Sequence, residues 1–409
     1  MRTAGPLVLT TVLLVTACGG SSGGAAGGSA ELLIVVNAPL SRTPFIGRTI
    51  EQGVRLAVDQ INGGGGIQTR GRTYRLRVEV LDNALSPQRA LDNVRRAVAR
   101  RAVAIVDEGT GVDASWKVAS AAGIPICIVY QGGVGLVDPQ NRLNVFRIAP
   151  TDRGMGFRLA EYIIPKGLRV GFIHDDTGFG QQGHDMFELT FGGNPEAVAA
   201  ALGVGAGDDP APQVLQARRA GATALLVWGV GSTIAQVVRA ARSSGWQVPI
   251  YTPASGEDPL VRQELADRPE WLDGLTFAAG RMTAEVGPGP FLAFQAAYEK
   301  AFGPDPVGVK TIDGQDVFQP PDYAMYPYDF VNLLAAAVRT AGGPGPKVLT
   351  ALNQVDVKGA NGDNRGFSAS NHEGVVDDDV YFDVFHDMVF RPVADDPLSA
   401  SLHVIRQTR

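Results

Sequence analysis

The stretch NVFRIAPTDRGMG, residues 144–156, divides the chain. Its first half has strand character, Pro150 breaks it, and Thr151 or Asp152 is placed to cap a new helix. The residues on its two sides share one pattern. Upstream, the apolar run LLIVV at 32–36 reads as a strand buried on both faces. TIEQGVRLAVDQIN then puts Ile50, Val54, Ala57, Val58 and Ile61 on one helical face, and a four-glycine turn ends that helix at Gly63. YRLRVEVLD is a second strand, and SPQRALDNVRRAVAR a helix with Ser86 as N-cap and Pro87 at its first position. AVAIVD, a helix over 114–122 and IPICIVY continue the alternation.

Downstream, a second series opens with LRVGFIHDD at Leu168. It runs through a helix from near Gly183 to Phe191, a weakly patterned Gly/Pro-rich span over 192–212, the strand ATALLVW, the helix STIAQVVRAARSS, and strands in VPIYTP and LDGLTFAAG. Alternation of this kind builds parallel sheets with right-handed crossovers, so two α/β units joined by a short crossover are expected. After Gly280 the chain returns to helices, FLAFQAAYEKAFG, DYAMYPYDFVNLLAAAVRTAG and PKVLTALNQV, and VYFDVFHDMVF near the end fits one strand or two.

Composition narrows the partners. The 409 residues are 45% hydrophobic and 19% charged with a net charge of −6, ordinary for a globular body and large enough for two domains. A mildly acidic chain lacking a basic run has no electrostatic footprint for phosphate backbones, so no nucleic-acid partner is expected. Beyond Cys18 only Cys127 remains, so no intramolecular disulfide forms between later residues; within IPICIVY it reads as a buried small hydrophobe, with a reactive thiol the lesser alternative.

The N-terminus has its own organisation. Arg2 precedes an uncharged run from Leu7 to Ala17, too short for the roughly 20 residues that span a bilayer, and this is the pattern of a secretory signal. Residues 19–30, GGSSGGAAGGSA, hold no charge and nothing apolar larger than alanine, so they behave as a flexible coil reaching about 20 Å on average. The globular body starts at Glu31.

Several short motifs resolve into local structure. GVGSTIA at Gly229 has the outline of a dinucleotide loop, but VPIYTP supplies no acidic residue at the end of the next strand, and a tight strand-to-helix turn accounts for it. His174-Asp175-Asp176 reads as a polar strand end. The run Asp377-Asp378-Asp379 and the segment NHEG around His372 lack calcium-loop spacing and read as solvated loop charge. There is no G-x-S-x-G elbow and no histidine in company that suits acid/base work, so no enzyme is expected, and no metal or cofactor.

These features in this order resemble the type 1 periplasmic-binding-protein fold, and more narrowly the extracellular leucine/isoleucine/valine-binding family of ABC importers. The resemblance rests on APLS with Gly47 and Gly53, LAVDQINGGGGI, the strand ending at Asp82 with SPQRA behind it, AGIPI, FRIAPTD, VGFIHDDTGFG, LLVWGVGSTIAQVVRAARSSG and YDFVNLLAAAVRTAG, and covers most of residues 31–345. It implies an α/β protein of two lobes, each a mainly parallel sheet flanked by helices, with three hinge crossings and one ligand between the lobes. The lobes implied are 31–149 with 278–375, and 150–277 with 376–409. Val15-Thr16-Ala17-Cys18 resembles a bacterial lipobox, which implies a signal peptide over 1–17, lipidation of Cys18 and a tether over 18–30.

The resemblance also implies a site and partners. On the first lobe it draws in Phe45 and Ile46 from the loop 41–46, the Gly109-Thr110 turn, and Tyr130-Gln131-Gly132. On the second it draws in Phe179, where relatives have tyrosine, Trp228 and Gly229, and Ala254 and Ser255. Thr110 and the amides near Gln131 would receive a ligand carboxylate. The acidic partner for an ammonium is open: Ala254 stands where relatives commonly have glutamate, and Glu257 and Asp258 are the nearby alternatives, with Asp258 also suited to cap PLVRQEL. Tyr130, Phe179 and Trp228 form an apolar wall or are core. The implied partners are a small-molecule solute, ABC permease subunits, and the outer face of the cytoplasmic membrane through the lipid. A sensor of the same fold signalling to a membrane or cytoplasmic partner is the alternative, and an envelope hydrolase using Thr110 or Ser255 a more distant one.

Overall fold

The computed structural model describes residue 1 and residues 30–205, 207–283, 287–376 and 379–409. The signal, Cys18 and all but the last residue of the tether lie outside the described residues, as do Asp377 and Asp378.

LLIVV lies in β1 (Ala30–Ala38), and its alternate residues supply both faces of a six-stranded sheet. Leu32, Ile34 and Val36 pack toward α1 (Pro44–Gly63), while Leu33 and Val35 enter a separate apolar cluster with Val94, Ala97 and Ala119. The chain continues through β2 (Ile67–Thr69), β3 (Arg72–Asp82), α2 (Pro87–Ala99), β4 (Ala104–Asp107), α3 (Val112–Ala121), β5 (Ile126–Ile128) and β6 (Val145–Arg147). Strand order is β2-β3-β1-β4-β5-β6, all parallel except the short β2, which forms a hairpin with β3. Ser86 caps α2 by accepting from Arg89 N, as its sequence position indicates.

Pro150 ends the first unit, and Thr151, not Asp152, caps α4 (Asp152–Ile163) by accepting from Gly154 N. The second unit runs β7 (Val170–Asp175), α5 (Gly178–Phe191), β8 (Val198–Val204), α6 (Ala211–Arg219), β9 (Ala224–Trp228), α7 (Gly231–Ser243), β10 (Ile250–Thr252), α8 (Pro259–Glu264) and β11 (Leu275–Gly280). β8 falls inside the span whose sequence carries no clear pattern. It is the alanine-rich edge strand VAAALGV, mostly half-exposed, so no burial alternation marks it.

The chain then returns to the first unit as α9 (Gly289–Phe302), which packs on α1. Next is a hairpin that the sequence pattern does not reveal, β12 (Asp305–Lys310) and β13 (Asp316–Gln319). It leads to α10 (Met325–Ala341), α11 (Lys347–Leu352) and the small pair β14 (Asp356–Lys358) and β15 (Asn364–Gly366). The last crossing leads to β16 (Val380–His386) and β17 (Val389–Pro392), a hairpin that closes the second sheet in the order β17-β16-β11-β10-β9-β7-β8. VYFDVFHDMVF is therefore two strands, turned at Asp387 and Met388 with φ of 49° and 65°.

The three crossings are stitched by charge. His372 is buried and stacks on Phe146 with ring centroids 4.1 Å apart, and Glu373 pairs with Arg147 at 2.6 Å, so NHEG is a packed segment beside β6 and not a solvated loop. Asp379 is likewise buried: Arg281 reaches it at 2.7 Å and Arg365 at 3.4 Å, while Arg365 also pairs with Asp329 of α10 at 3.3 Å. These ions have partners because the second and third crossings run side by side; the sequence alone, which separates them by about a hundred residues, does not show it.

Asp329 is 0% exposed. Burial raises its carboxyl to about 6 against the pull of Arg365. The folded state thus holds a proton there that the unfolded chain has lost, and this contribution to stability falls as pH rises through the interval from about 4 to 6. Replacing Arg365→Ala removes the cation that restrains the shift and should destabilise the protein by about 3–5 kcal/mol. The loss should be larger at pH 8 than at pH 5 in urea titrations; an equal loss at both would contradict this account.

Candidate ligand-binding cleft

Both sheets end, on the side where they face each other, in carboxylates that hold loops. In the first sheet Asp107 accepts from Asn37 Nδ2 at 2.7 Å and from Gly109 N at 2.7 Å. Glu108, the next residue, accepts from Asn83 Nδ2 at 2.7 Å, Thr110 Oγ1 at 2.5 Å and Gln131 Nε2 at 2.9 Å. In the second, Asp175 accepts from Val230 N at 2.8 Å and Thr233 Oγ1 at 3.1 Å, which ties the loop after β7 to the one after β9. Ligands of open parallel sheets bind at these strand ends.

The first-lobe residues expected from the sequence, Thr110 and Gln131 among them, come together through Glu108, a residue that no sequence motif marks. The Thr110 hydroxyl donates to the Glu108 carboxyl and the Gln131 backbone N to Glu108 O at 2.8 Å, so the anion-receiving role expected of Thr110 and of the amides near Gln131 requires these bonds to be released. Phe45 and Ile46 lie in the first turn of α1 and not in a loop; Ile46 is buried and Phe45 half-buried against the core. Gly132 is required by close approach: a Cβ there would sit 2.4 Å from Asp152 Oδ1.

On the second lobe, Phe179 is half-buried in the first turn of α5, its ring 5.9 Å from Trp228. Trp228 itself is 1% exposed and lies against α5, where a Cβ on Gly183 would be only 2.2 Å from the indole. It belongs to the core, the second of the two readings its sequence position allows. Gly229 O accepts from Ser255 Oγ at 2.8 Å, and Ala254 is buried beside it in a short 3-10 turn over Ala254–Glu257. Asp258 caps α8 by accepting from Leu260 N at 2.8 Å.

Residues that the sequence does not single out complete the cleft. DYA has the look of a helix start, but α10 begins at Met325, and Asp322 and Tyr323 enter the space between the sheets. Tyr323 lies 5.2 Å from Tyr130 and 6.1 Å from Tyr326, ring to ring. Pro320-Pro321 is the sequence signal for a break there. Burial, then the carboxyls of Asp258, Glu257, Glu108 and Asp152, push the Tyr130 phenol well up, so four acids from both sides converge on one half-buried ring.

Cations are scarce around them. Glu257 is 2% exposed, and burial together with the adjoining Asp322 carboxyl drives it well above the usual carboxylate range. Arg262 is fully buried and donates to Gln319 and to Glu257 O, yet has no carboxylate at ion-pair distance among the described residues; burial lowers it to about 10. Asp152 is 1% exposed, and neither of its carboxyl oxygens has a hydrogen-bond partner among the described residues. Burial raises it to about 7, opposed by Arg147. No cluster of three or more His, Cys, Asp or Glu side chains among the described residues is arranged to hold a metal ion.

The Asp152 shift makes a stability prediction. Its pKa is raised on folding, so its unfavourable contribution is absent near pH 4, grows with pH and is complete above about 7. Asp152→Asn should therefore stabilise the ligand-free protein at pH 8 by up to about 4 kcal/mol, from three pKa units, and by little at pH 4.5. Equal gains at the two pH values in denaturant titrations would contradict it.

Comparison with known proteins places this geometry. The family model described as "Periplasmic binding protein" matches residues 39–382. The "Amino acid binding protein" of Pseudomonas aeruginosa is 26% identical over 319 residues, covering 73% of this chain and 76% of that protein. The "Leu/Ile/Val-binding protein homolog 1" of Brucella abortus is 24% identical over 339 residues, 78% and 80% of the two chains. Among solved structures, a periplasmic binding protein type 1 from Bordetella pertussis superposes with a TM-score of 0.74 at 22% identity, covering 87% of this chain and 96% of that one. The branched-chain amino acid transporter substrate binding protein of Streptococcus pneumoniae in complex with isoleucine gives 0.72 at 20% identity, covering 88% and 97%. With its two α/β lobes, three crossings and a cleft at the strand ends, the chain belongs to the periplasmic binding protein family.

Proposed function

We propose that this chain is the solute-binding lipoprotein of an ABC importer, capturing an amino acid or a related small polar or amphipathic solute between its lobes and presenting it to the permease subunits. The observation that carries the ligand class is Asp152. A buried carboxylate without a hydrogen bond is costly, and a ligand ammonium placed beside Gly132 and Tyr130 would supply the missing partner. Glu257, left open by the sequence and on the same lobe as Asp152, would be the second acid of that pocket. The names of the curated relatives and the isoleucine in a structure of similar fold favour the same class.

The lobes proposed are residues 31–149 with 278–375, and 150–277 with 376–409, closing about the three crossings by hinge motion. Cys18 would be acylated after removal of residues 1–17, leaving the body on the outer face of the cytoplasmic membrane. Among the described residues no helix is long and apolar enough to cross a membrane. The Ser255 hydroxyl donates to Gly229 O and that of Thr110 to Glu108, and in this reading the cargo leaves unaltered.

Thermal-shift screening tests the assignment. An amino acid that binds should stabilise the folded state by about 2.7 kcal/mol at a hundredfold excess over its dissociation constant. Its des-amino analogue should give a shift smaller by most of that amount, and Asp152→Asn should lose the response to the amino acid. Stabilisation by des-amino acids equal to that by amino acids would remove the ammonium from the account, and failure across amino acids, amides, urea-like compounds and aromatic acids would remove the binding role.

A further inference from the structure

The base of the first lobe, at the opposite end of the strands from the cleft, is strongly basic although the chain is acidic overall. The arginines are interleaved with other residues, RGRTYRLR over 70–77 and RRAVARR over 95–101, so no unbroken run marks them; the fold gathers them. Ala30 pairs with Tyr74, which puts the β2–β3 hairpin at the edge where the chain enters β1. α2 runs back down the sheet, and Val103 N donates to Leu33 O at 2.8 Å, which brings the end of α2 to the same edge.

Part of this charge is neutralised. Glu79 takes Arg96 at 2.9 Å and Arg100 at 2.6 Å, Asp92 takes Arg95 at 3.0 Å, and Glu31 takes Arg77 at 3.5 Å. Arg70, Arg72, Arg75 and Arg101 are exposed and have no carboxylate partner among the described residues. Arg101 holds a left-handed backbone, φ 55°, where glycine would be the easier residue. The dipole of α2 accounts for cations at its C-terminal end but not for those of the hairpin.

We propose that this arginine face docks on the anionic phospholipid headgroups of the membrane to which the chain is tethered. The inference rests on the lipid-anchor reading for its partner: a leash of about 20 Å keeps the face near the lipid, so weak headgroup contacts act at high effective concentration. Basic side chains within a Debye length of an anionic leaflet are attracted to it, and the net negative charge of the rest of the body disfavours other orientations. With the nine residues of β1 rising about 3.3 Å each, the cleft would stand about 30 Å above the base.

The test uses the mature protein purified from the cell envelope, with mass spectrometry reporting acylation at Cys18. A fluorophore is placed at Gln68→Cys on the exposed hairpin and mixed with vesicles carrying a headgroup-level quencher, made of phosphatidylcholine alone or with 30% phosphatidylglycerol. Quenching should depend on phosphatidylglycerol, fade with added salt, and fall about fivefold for each of Arg70→Gln, Arg72→Gln and Arg75→Gln. The Arg→Glu versions should give a larger loss, with unchanged thermal melts. An acylated protein whose quenching ignores phosphatidylglycerol or the reversals, or that binds soluble heparin and not vesicles, overturns docking and leaves the anchor standing. An unacylated protein still recruited by phosphatidylglycerol overturns the anchor and leaves docking standing; an unacylated protein that is not recruited overturns both.

Discussion

Buried carboxylates at the cleft-side ends of parallel strands are the constraint on which the rest of the structure depends. Asp107 and Asp175 occupy matching positions in the two lobes, and each collects donors from the next turn and a neighbouring element. A buried carboxyl takes its hydrogen bonds from fixed donors, and those donors are the backbone amides and side chains of the loops at the strand ends; at Asp107 burial and the neighbouring Glu108 outweigh them and push the group up to about 8. The loops are therefore set by the same groups that close off the sheets. Glu108 extends this pattern to Gln131 and through it to the loop that carries Tyr130.

Two acid-rich zones in the molecule differ in how completely they are paired. At the crossings, Arg281 and Arg365 lie among Asp329, Asp363 and Asp379, and each of the three acids has an arginine at ion-pair distance. In the cleft, the carboxyl oxygens of Asp152 lack a hydrogen-bond partner among the described residues, and Glu257 and Asp322 adjoin each other with Arg262 out of ion-pair reach. The acids at the crossings each have an arginine at ion-pair distance, while those at the cleft have none among the described residues, which is why the proposed ligand carries a cationic group. Sites tuned for function commonly give up stability in this way. The arginine face at the far end completes a polar arrangement of the first lobe, basic where the chain enters β1 and acidic at the cleft.

The alternation of LLIVV, AVAIVD, VGFIHD and ALLVW with amphipathic helices makes the two sheets legible, because a strand buried on both faces is a short continuous apolar run. The break at Pro150 and the caps at Ser86, Thr151 and Asp258 are legible for the same local reason. What stays hidden depends on distance. β8 is an alanine-rich edge, and β12–β13 is a hairpin in a stretch with no clean alternation. His372, Glu373 and Asp379 read as loop charge because their partners lie far away in the sequence. For the candidate site, the resemblance proposes the turns at Gly109-Thr110, Gly132 and Gly229, and Glu257 is in view. Glu108, Asp152, Asp322 and Tyr323 are not, since a carboxyl's burial is a tertiary property. Trp228 reads as wall or core from sequence alone, and only the approach of Gly183 seats it in the core.

The central claim, that a buried acid in the cleft awaits a cationic group, is tested most directly by counting protons. Calorimetric titration of a binding amino acid at pH 6, in buffers of different ionisation enthalpy, reports protons exchanged per ligand bound. Asp152, raised to about 7 when unpaired, is mostly protonated at that pH and should ionise on meeting an ammonium. The account predicts release of close to one proton per site, lost in Asp152→Asn; binding with no proton release, or release unchanged in the variant, would contradict it.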